Sequence, residues 1–221
     1  MRKLGIAGLF GALALLTAGA AQATAVTTYD ASLTNGWYDG SGNPNGGFTI
    51  VTDDGIQVGV RAKLRQDPDP IHTSTNTYTV PVGFEPSPPD TPTGHHVAWN
   101  LEWAIDLSSG SLTLGDIYAN STITVKNNVT GVEISEPLTH WGDYATAGPA
   151  GTVNETTLSP TQLQNQTGAE QSENPIFADF FPGLGFDAGE ATTYTATLRI
   201  VKNDGTLLAV NSIDIHAVPE A

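Results

Sequence analysis

Residues 97–107 constrain the fold of this chain more than any other segment does. The odd-numbered positions are Val, Trp, Leu, Trp, Ile and Leu, whereas the even-numbered positions are Ala, Asn, Glu, Ala and Asp. Such an alternation with period two is typical of a β-strand that buries one face. The sequence therefore predicts a central strand of an antiparallel β-sandwich, with Asn100, Glu102 and Asp106 on its outward face.

Further strands are predicted on both sides of this segment, at residues 26–33, 48–51, 56–65, 75–80, 120–126 and 132–137. A final hairpin turns at residues 202–205, and a phase change in its second strand predicts a bulge near Asn211 and Ser212. Long irregular loops are expected at residues 35–47, 66–96 and 139–189, with a short helix beginning after Ser159. Because no segment predicts a long helix, the expected fold is all-β, a single antiparallel β-sandwich that is jelly-roll-like.

Basic residues concentrate on one face of the strand predicted at residues 56–65, where Arg61, Lys63 and Arg65 alternate with apolar residues. If this strand neighbours the segment at residues 97–107, its basic side chains pair across the sheet with Asn100, Glu102 and Asp106. Exposed pairs of this kind are each worth a fraction of a kcal/mol. The alternative is a strip that binds an anion or an acidic glycan.

The N-terminus indicates export. Arg2 and Lys3 precede an apolar, small-residue stretch, and residues 21–23 read Ala-Gln-Ala, so residues 1–23 are predicted to be a signal peptide. The β-sandwich domain is then predicted at residues 24–216, without a membrane span in the mature chain. We therefore expect a secreted protein, either extracellular or at the outer cell surface.

Composition narrows the classes of partner and chemistry. The formal net charge is −15 and falls further once the two basic residues of the signal peptide are removed. This acidity disfavours nucleic acid and anionic membranes as partners. The chain contains no cysteine, which excludes thiol catalysis and thiolate metal sites. No nucleophile or phosphate-loop motif is present, so we expect a protein that is not an enzyme and needs no cofactor.

Aromatic residues in the predicted loops are candidates for ligand binding. These residues are Trp37, Tyr38, Trp141 and Tyr144. Planar side chains in exposed loops stack on sugar rings in many carbohydrate-binding proteins. The alternative is that they pack over the edge of the core.

Two loops contain oxygen-bearing residues at the spacing of calcium ligands. Asp39 and Asn43 lie in a glycine-rich loop, and Asp67 and Asp69 lie in a proline-rich one. Calcium is therefore a possible ligand, and ordinary turn chemistry is the alternative. His72 lies near the second loop, but no pair of histidines has the spacing of a zinc motif.

The C-terminal residues 217–221 read Ala-Val-Pro-Glu-Ala. Val-Pro-Glu after a final strand, in a chain with a signal peptide, resembles the start of the PEP-CTERM sorting tail of Gram-negative exported proteins. Residues 31–48 and 61–65 also look like the body of one uncharacterised group of such proteins. In that family the tail continues into a membrane span and a basic cluster, whereas this chain ends at Ala221, so release is expected rather than anchoring.

The resemblance implies an exported protein linked to exopolysaccharide or biofilm surfaces of a Gram-negative bacterium, and it transfers no catalytic residues. The sequence thus favours a secreted, non-enzymatic β-sandwich of the cell surface or extracellular matrix. Its expected partners are an extracellular polysaccharide or further copies of itself. The alternative function is that of a carbohydrate-binding module, assisted by calcium.

Overall fold

The structure is a computed structural model, and it describes residues 25–35, 46–65, 71–84, 96–138, 145–176 and 180–219. In these ranges the chain forms twelve strands and three short α-helices. The strands are β1 (Val26–Ala31), β2 (Phe48–Asp53), β3 (Ile56–Leu64), β4 (Thr77–Pro81), β5 (Trp99–Asp106), β6 (Thr122–Asn127), β7 (Glu133–Pro137), β8 (Ala145–Ala147), β9 (Val153–Asn154), β10 (Gly168–Glu173), β11 (Thr192–Val201) and β12 (Leu207–Val218). The helices are α1 (Leu114–Ile117), α2 (Pro160–Gln164) and α3 (Phe180–Gly183).

The strands form two sheets, and the predicted β-sandwich is confirmed. Sheet A has seven strands in the order β1-β2-β3-β5-β10-β8-β9, and sheet B has five in the order β4-β12-β11-β6-β7. All pairings are antiparallel except that of β4 with β12, which is parallel. Among the described residues, no helix has the length and apolar character that a membrane span requires.

The main core lies between the two sheets, as the odd-numbered positions of β5 predict. Its four inward side chains are each no more than 3% exposed and are Trp99, Leu101, Trp103 and Ile105. Across the core, β11 buries Tyr194, Ala196, Leu198 and Ile200 completely. Trp99 also meets Phe181 of α3 edge to face, with ring centroids 5.9 Å apart, which anchors α3 to the core.

The local turn and capping signals in the sequence are also confirmed. Asp54 and Gly55 join β2 to β3 with φ angles of 47° and 80°, the left-handed conformations that a two-residue hairpin turn requires. Ser159 caps α2 by accepting a hydrogen bond from the Gln162 amide, and Pro160 occupies its first turn. These elements form where predicted because their determinants lie within a few residues.

The predicted bulge near Asn211 and Ser212 is wrong. The pairing of β11 with β12 shifts instead between Ile200 and Val201, near the turn. From Ala209 onward the odd-numbered positions of β12 all face the core, including Asn211, which is 2% exposed. Its Nδ2 donates to the carbonyl oxygens of Thr49 and Val58 in sheet A at 2.6 and 2.7 Å, so a polar side chain links the sheets. The strand β12 also continues through Val218, two residues past the predicted end of the domain at residue 216.

The expectation that the even face of β5 meets solvent is wrong as well. All eight residues of β5 are buried. A second apolar cluster lies on this outer face: Leu33, which follows β1, packs as a cover on Phe48 and Ile50 of β2 and Ala104 of β5. The cover lies close to the strands because Gly59 has no side chain: a Cβ there would come within 3.0 Å of the Phe48 ring and 3.1 Å of Leu33.

Candidate functional site

The eight site residues predicted from the sequence all lie outside the described residues. They are the loop aromatics Trp37, Tyr38, Trp141 and Tyr144 and the calcium candidates Asp39, Asn43, Asp67 and Asp69. Calcium ligation and aromatic stacking therefore stay predictions. In the described ranges, no group of three or more His, Asp or Glu side chains converges as a metal site would require.

One group of polar side chains that the structure brings together lies on the outer face of sheet A. The predicted neighbourhood of β3 and β5 is confirmed, with Arg61 opposite Glu102 and Lys63 opposite Asn100. On the other side of β5, Ser172 of β10 lies opposite Glu102. Since residues directly opposite one another project from the same face of a sheet, a polar row crosses three strands.

The centre of this row is a buried ion pair. Arg61 Nε donates to Glu102 Oε2 at 2.6 Å, and the Ser172 hydroxyl donates to Glu102 Oε1 at 2.8 Å. Arg61 also donates to the carbonyl oxygen of Gly46, and its guanidinium lies 4.0 Å from the centroid of the Phe48 ring. Both charged side chains are 0% exposed. The pairing was predicted, but its burial was not, and a buried pair is far more costly to break than an exposed one.

Glu170 lies beside this pair in β10, opposite Ala104. It is 7% exposed, and in the described part of the chain its Oε1 has no hydrogen-bond partner. Burial, together with the negative charge of Glu102, raises the pKa of Glu170 to about 8, although the positive charges of Arg61 and Lys63 lower it. The outer face of sheet A thus holds, beside the carboxylate that pairs with arginine, a buried carboxyl group whose pKa is raised.

At one end of the same face lies a polar cleft of about 480 Å³. Its lining combines hydroxyl, amide and carboxylate groups with small residues: Thr34, Asn35, Asp106, Ser108, Ala147, Gly148, Thr152, Thr167 and Gly168. The volume is within the usual range for small-ligand sites. Three of the sequence segments that meet here belong to the predicted long loops or border them.

The carboxylate of Asp106 lines this cleft and holds two other lining residues, Asn35 and Ser108. Its Oδ2 accepts from the Asn35 amide at 3.1 Å and from Asn35 Nδ2 at 3.2 Å. Its Oδ1 accepts from the Ser108 amide at 2.8 Å and from the Ser108 hydroxyl at 2.5 Å. Thr34 is held by a different residue: its amide donates a hydrogen bond to Gln57 Oε1 at 2.7 Å. The cleft is therefore preorganised, and both oxygens of Asp106 are engaged.

A second cleft, of about 520 Å³, lies at the edge of sheet A and is lined by Tyr29, Asp30, His72, Thr73 and Ser74. His72 Nδ1 lies 2.7 Å from Asp30 Oδ1, and both side chains are exposed to solvent. Asp30 adopts a φ angle of 49° within an irregular stretch of β1. The acidic partner of His72 is thus Asp30, which sequence spacing did not single out.

Sequence reasoning also missed Glu170 and Asn174, because it did not predict β10. Asn174 donates through Nδ2 to the carbonyl oxygens of Val97 and Trp99 and to Asn100 Oδ1, and its Oδ1 accepts from the Val97 amide. The segment at residues 168–174 reads Gly-Ala-Glu-Gln-Ser-Glu-Asn. It offers no β-branched or aromatic residue and no alternation of apolar and polar residues as a strand signal.

Comparison with known proteins gave no matching family model, no matching curated protein and no matching solved structure.

Proposed function

We propose that this protein is an exported, non-enzymatic β-sandwich of the cell surface or extracellular matrix, and that it binds a neutral polysaccharide in the Asp106 cleft. One observation carries the proposal: the cleft presents fixed hydroxyl and amide groups at the surface of a rigid sheet. Sugars are recognised through hydrogen bonds from such groups. The described lining contains no Lys or Arg, which favours a neutral glycan over an acidic one.

The engagement of the carboxylates supports a binding role rather than a catalytic one. Both oxygens of Asp106 already accept hydrogen bonds, and Glu102 is enclosed with Arg61 and Ser172. A hydrolase that uses two carboxyl groups needs both of them at the scissile bond. Export is supported by the features of residues 1–23 and by the resemblance of the C-terminus to a sorting tail. Besides polysaccharide, the other proposed partner is a further copy of this chain.

The experiment is a glycan array followed by calorimetric titration with neutral and acidic polysaccharides. Thr152→Trp places an indole in the exposed wall of the cleft and should weaken binding at least tenfold. The matched control is Thr197→Trp on the outer face of sheet B, which should bind like the wild type. Binding that both variants retain equally, or an array without any signal, would overturn the proposal.

Three further arms of this experiment sharpen the assignment. Titration in calcium and in chelator tests whether the predicted calcium loops contribute. Trp37→Ala and Trp141→Ala test whether the predicted loop aromatics stack on the bound sugar, since each would then weaken binding. Sizing chromatography tests self-association, and sequencing of the N-terminus of the exported product should give Thr24 as the first residue.

A further inference from the structure

The second cleft, at the edge of sheet A, contains an aromatic residue, which the Asp106 cleft lacks. Its volume is about 520 Å³, and its lining residues are Tyr29, Asp30, His72, Thr73 and Ser74. Tyr29 is 42% exposed, whereas none of the described residues that line the Asp106 cleft is aromatic. Ligand sites typically combine aromatic side chains with a few fixed polar groups. Of these two clefts, the second alone has both.

An irregularity in β1 brings Tyr29 and Asp30 to the same cleft. Successive residues of a regular strand project from opposite faces. Here the pairing with β2 is regular up to Thr28 and resumes at Ala31, and Asp30 adopts a φ angle of 49°. Irregular pairings of this kind re-aim side chains, and left-handed backbone at residues other than glycine clusters at ligand sites. The irregularity thus places an aromatic ring beside a carboxylate.

His72 connects the edges of the two sheets at this cleft. It lies in the segment before β4, an edge strand of sheet B, whereas Asp30 lies in β1, an edge strand of sheet A. His72 Nδ1 is 2.7 Å from Asp30 Oδ1. The segment of His72 is also fixed to the rest of the domain, because Ile71 packs against the main core and the carbonyl oxygen of Asn76 accepts from the Asp214 amide at 2.9 Å. Each sheet therefore supplies a fixed wall of the cleft.

Two polar atoms at this cleft are suited to accept hydrogen bonds from sugar hydroxyls. A carboxylate accepts hydrogen bonds and does not donate them, so His72 Nδ1 carries the hydrogen of the bond to Asp30. In the described part of the chain, Asp30 Oδ2 and His72 Nε2 form no hydrogen bond. The two side chains are 38% and 68% exposed, so a ligand reaches both atoms. The negative charge of Asp30 disfavours an acidic glycan.

The two clefts are close enough to contact one glycan chain. Residues 31–33 connect Asp30 of the second cleft to Thr34 of the Asp106 cleft. The Cα atoms of Asp30 and Thr34 are at most about 14 Å apart, because the chain advances no more than about 3.6 Å per residue. A polysaccharide that binds at one cleft therefore meets the other at a high effective concentration, which raises its overall affinity.

We propose that the second cleft is a further subsite for the neutral polysaccharide: the ring of Tyr29 stacks on a sugar ring, and Asp30 Oδ2 and His72 Nε2 accept hydrogen bonds from its hydroxyl groups. The ring supplies the apolar contact that the Asp106 cleft lacks, and the two polar atoms orient the sugar. The ligand class of this subsite rests on the proposed function.

The test is calorimetric titration with two neutral polymers, dextran and a soluble β-glucan, and with alginate as an acidic comparison. Tyr29→Ala should weaken binding of the neutral polymer by about tenfold or more, whereas Tyr29→Phe keeps the ring and should bind like the wild type. Alginate should not bind. The matched control is Phe84→Ala, which removes a ring that is 50% exposed and lines neither cleft. It should bind like the wild type.

A further variant keeps the test decisive if Tyr29→Ala folds poorly. Asparagine tolerates a left-handed backbone, so Asp30→Asn should fold like the wild type while it loses the charged acceptor. It should weaken binding of the neutral polymer several-fold. Unchanged affinity in Asp30→Asn and in Tyr29→Ala would overturn the subsite.

Thr152→Trp, which alters the Asp106 cleft, distinguishes the subsite from the proposed function. Weaker binding in both Tyr29→Ala and Thr152→Trp supports the two proposals, and the double variant should then bind more weakly than either. If Thr152→Trp weakens binding while Tyr29→Ala binds like Phe84→Ala, the subsite is refuted and the proposed function stands. If Tyr29→Ala alone weakens binding, the subsite stands and the Asp106 cleft is refuted. A wild-type protein that binds neither polymer refutes both.

Discussion

The outer faces of the two sheets have similar sequence patterns and opposite surroundings. On sheet A, the polar residues of β3 and β5 include Arg61, Lys63 and Glu102, and each is no more than 1% exposed. On sheet B, the corresponding face of β11 carries Thr195, Thr197 and Arg199, which are half-buried or exposed. Both β5 and β11 alternate with period two, but β5 is buried on both faces and β11 on one. An alternation of period two thus identifies the strand face that packs in the core. It does not show whether the other face is buried or exposed to solvent.

The difference has energetic consequences, because burial changes the strength of polar interactions. On sheet B, Thr197 and Ser212 share a hydrogen bond of 2.9 Å beside water, where the net contribution of such a bond is small. On sheet A, the Arg61–Glu102 pair has lost its hydration, so removing one partner leaves an uncompensated charge. Substitutions on the two faces should therefore differ in size, and matched pairs of variants test the comparison.

The largest effect is expected at the ion pair. Arg61→Met keeps most of the side-chain volume and removes the guanidinium that pairs with the buried Glu102, so it should lower the free energy of unfolding by about 3–5 kcal/mol. Arg199→Met on the outer face of sheet B should change it by less than about 0.5 kcal/mol. Urea unfolding at neutral pH measures both.

The double variant Arg61→Met/Glu102→Leu sharpens this prediction. Replacing a whole buried pair with apolar side chains is often neutral or stabilising, so the double variant should recover most of the loss. Equal losses for Arg61→Met and Arg199→Met would show that the outer face of sheet A is as open as that of sheet B.

A smaller effect is expected at Asp106, whose hydrogen bonds hold Asn35 and Ser108 at the cleft. Asp106→Ala removes an acceptor that serves four donors, including the amides of Asn35 and Ser108. We expect a loss of about 2–3 kcal/mol in unfolding free energy. Asp214 of sheet B accepts a hydrogen bond from the Thr195 hydroxyl at 2.8 Å, and Asp214→Ala should cost less than about 1 kcal/mol. Thermal or urea unfolding measures both losses. A larger loss for Asp214→Ala than for Asp106→Ala would refute this role of Asp106.

The smallest effect concerns the cover itself. Gly59→Ala introduces a methyl group within 3.0 Å of Phe48 and 3.1 Å of Leu33, and overpacking there should cost about 1 kcal/mol. In an uncovered strand the same change would be favourable, since alanine restricts the unfolded chain more than glycine does. A more stable Gly59→Ala variant in urea unfolding would therefore mean that the cover does not pack on β3.

Much of the fold could be predicted because its signals are local. The alternation at residues 97–107, the Asp54–Gly55 turn and the Ser159 cap each depend on neighbouring residues, and the structure confirms them. The register of β3 against β5 was also within reach, because complementary charges favour one alignment. These signals were sufficient for the β-sandwich and for its main core.

The rest depends on contacts between distant parts of the chain. The sequence does not show that Leu33 packs onto the outer face of sheet A, so Glu102 and Lys63 were expected at the surface. A bulge was predicted near Asn211 and Ser212, whereas Asn211 faces the core and bonds to carbonyl oxygens 153 and 162 residues away. The polar strand β10 gave no propensity signal, and with it Glu170 was missed. The predicted loop residues are close in sequence to residues that line the cleft, but only the lining residues are among those the structure describes.

The most direct test of this account is thiol labelling, since the chain has no cysteine of its own. Ala104→Cys places a thiol under the cover of sheet A at a position that is 2% exposed, and Val210→Cys places one on the outer face of sheet B at a position that is 41% exposed. In native protein at neutral pH, we expect the thiol at residue 104 to react on the order of 100-fold more slowly than the thiol at residue 210, with equal rates in denaturant. Equal rates in the native protein would contradict the account.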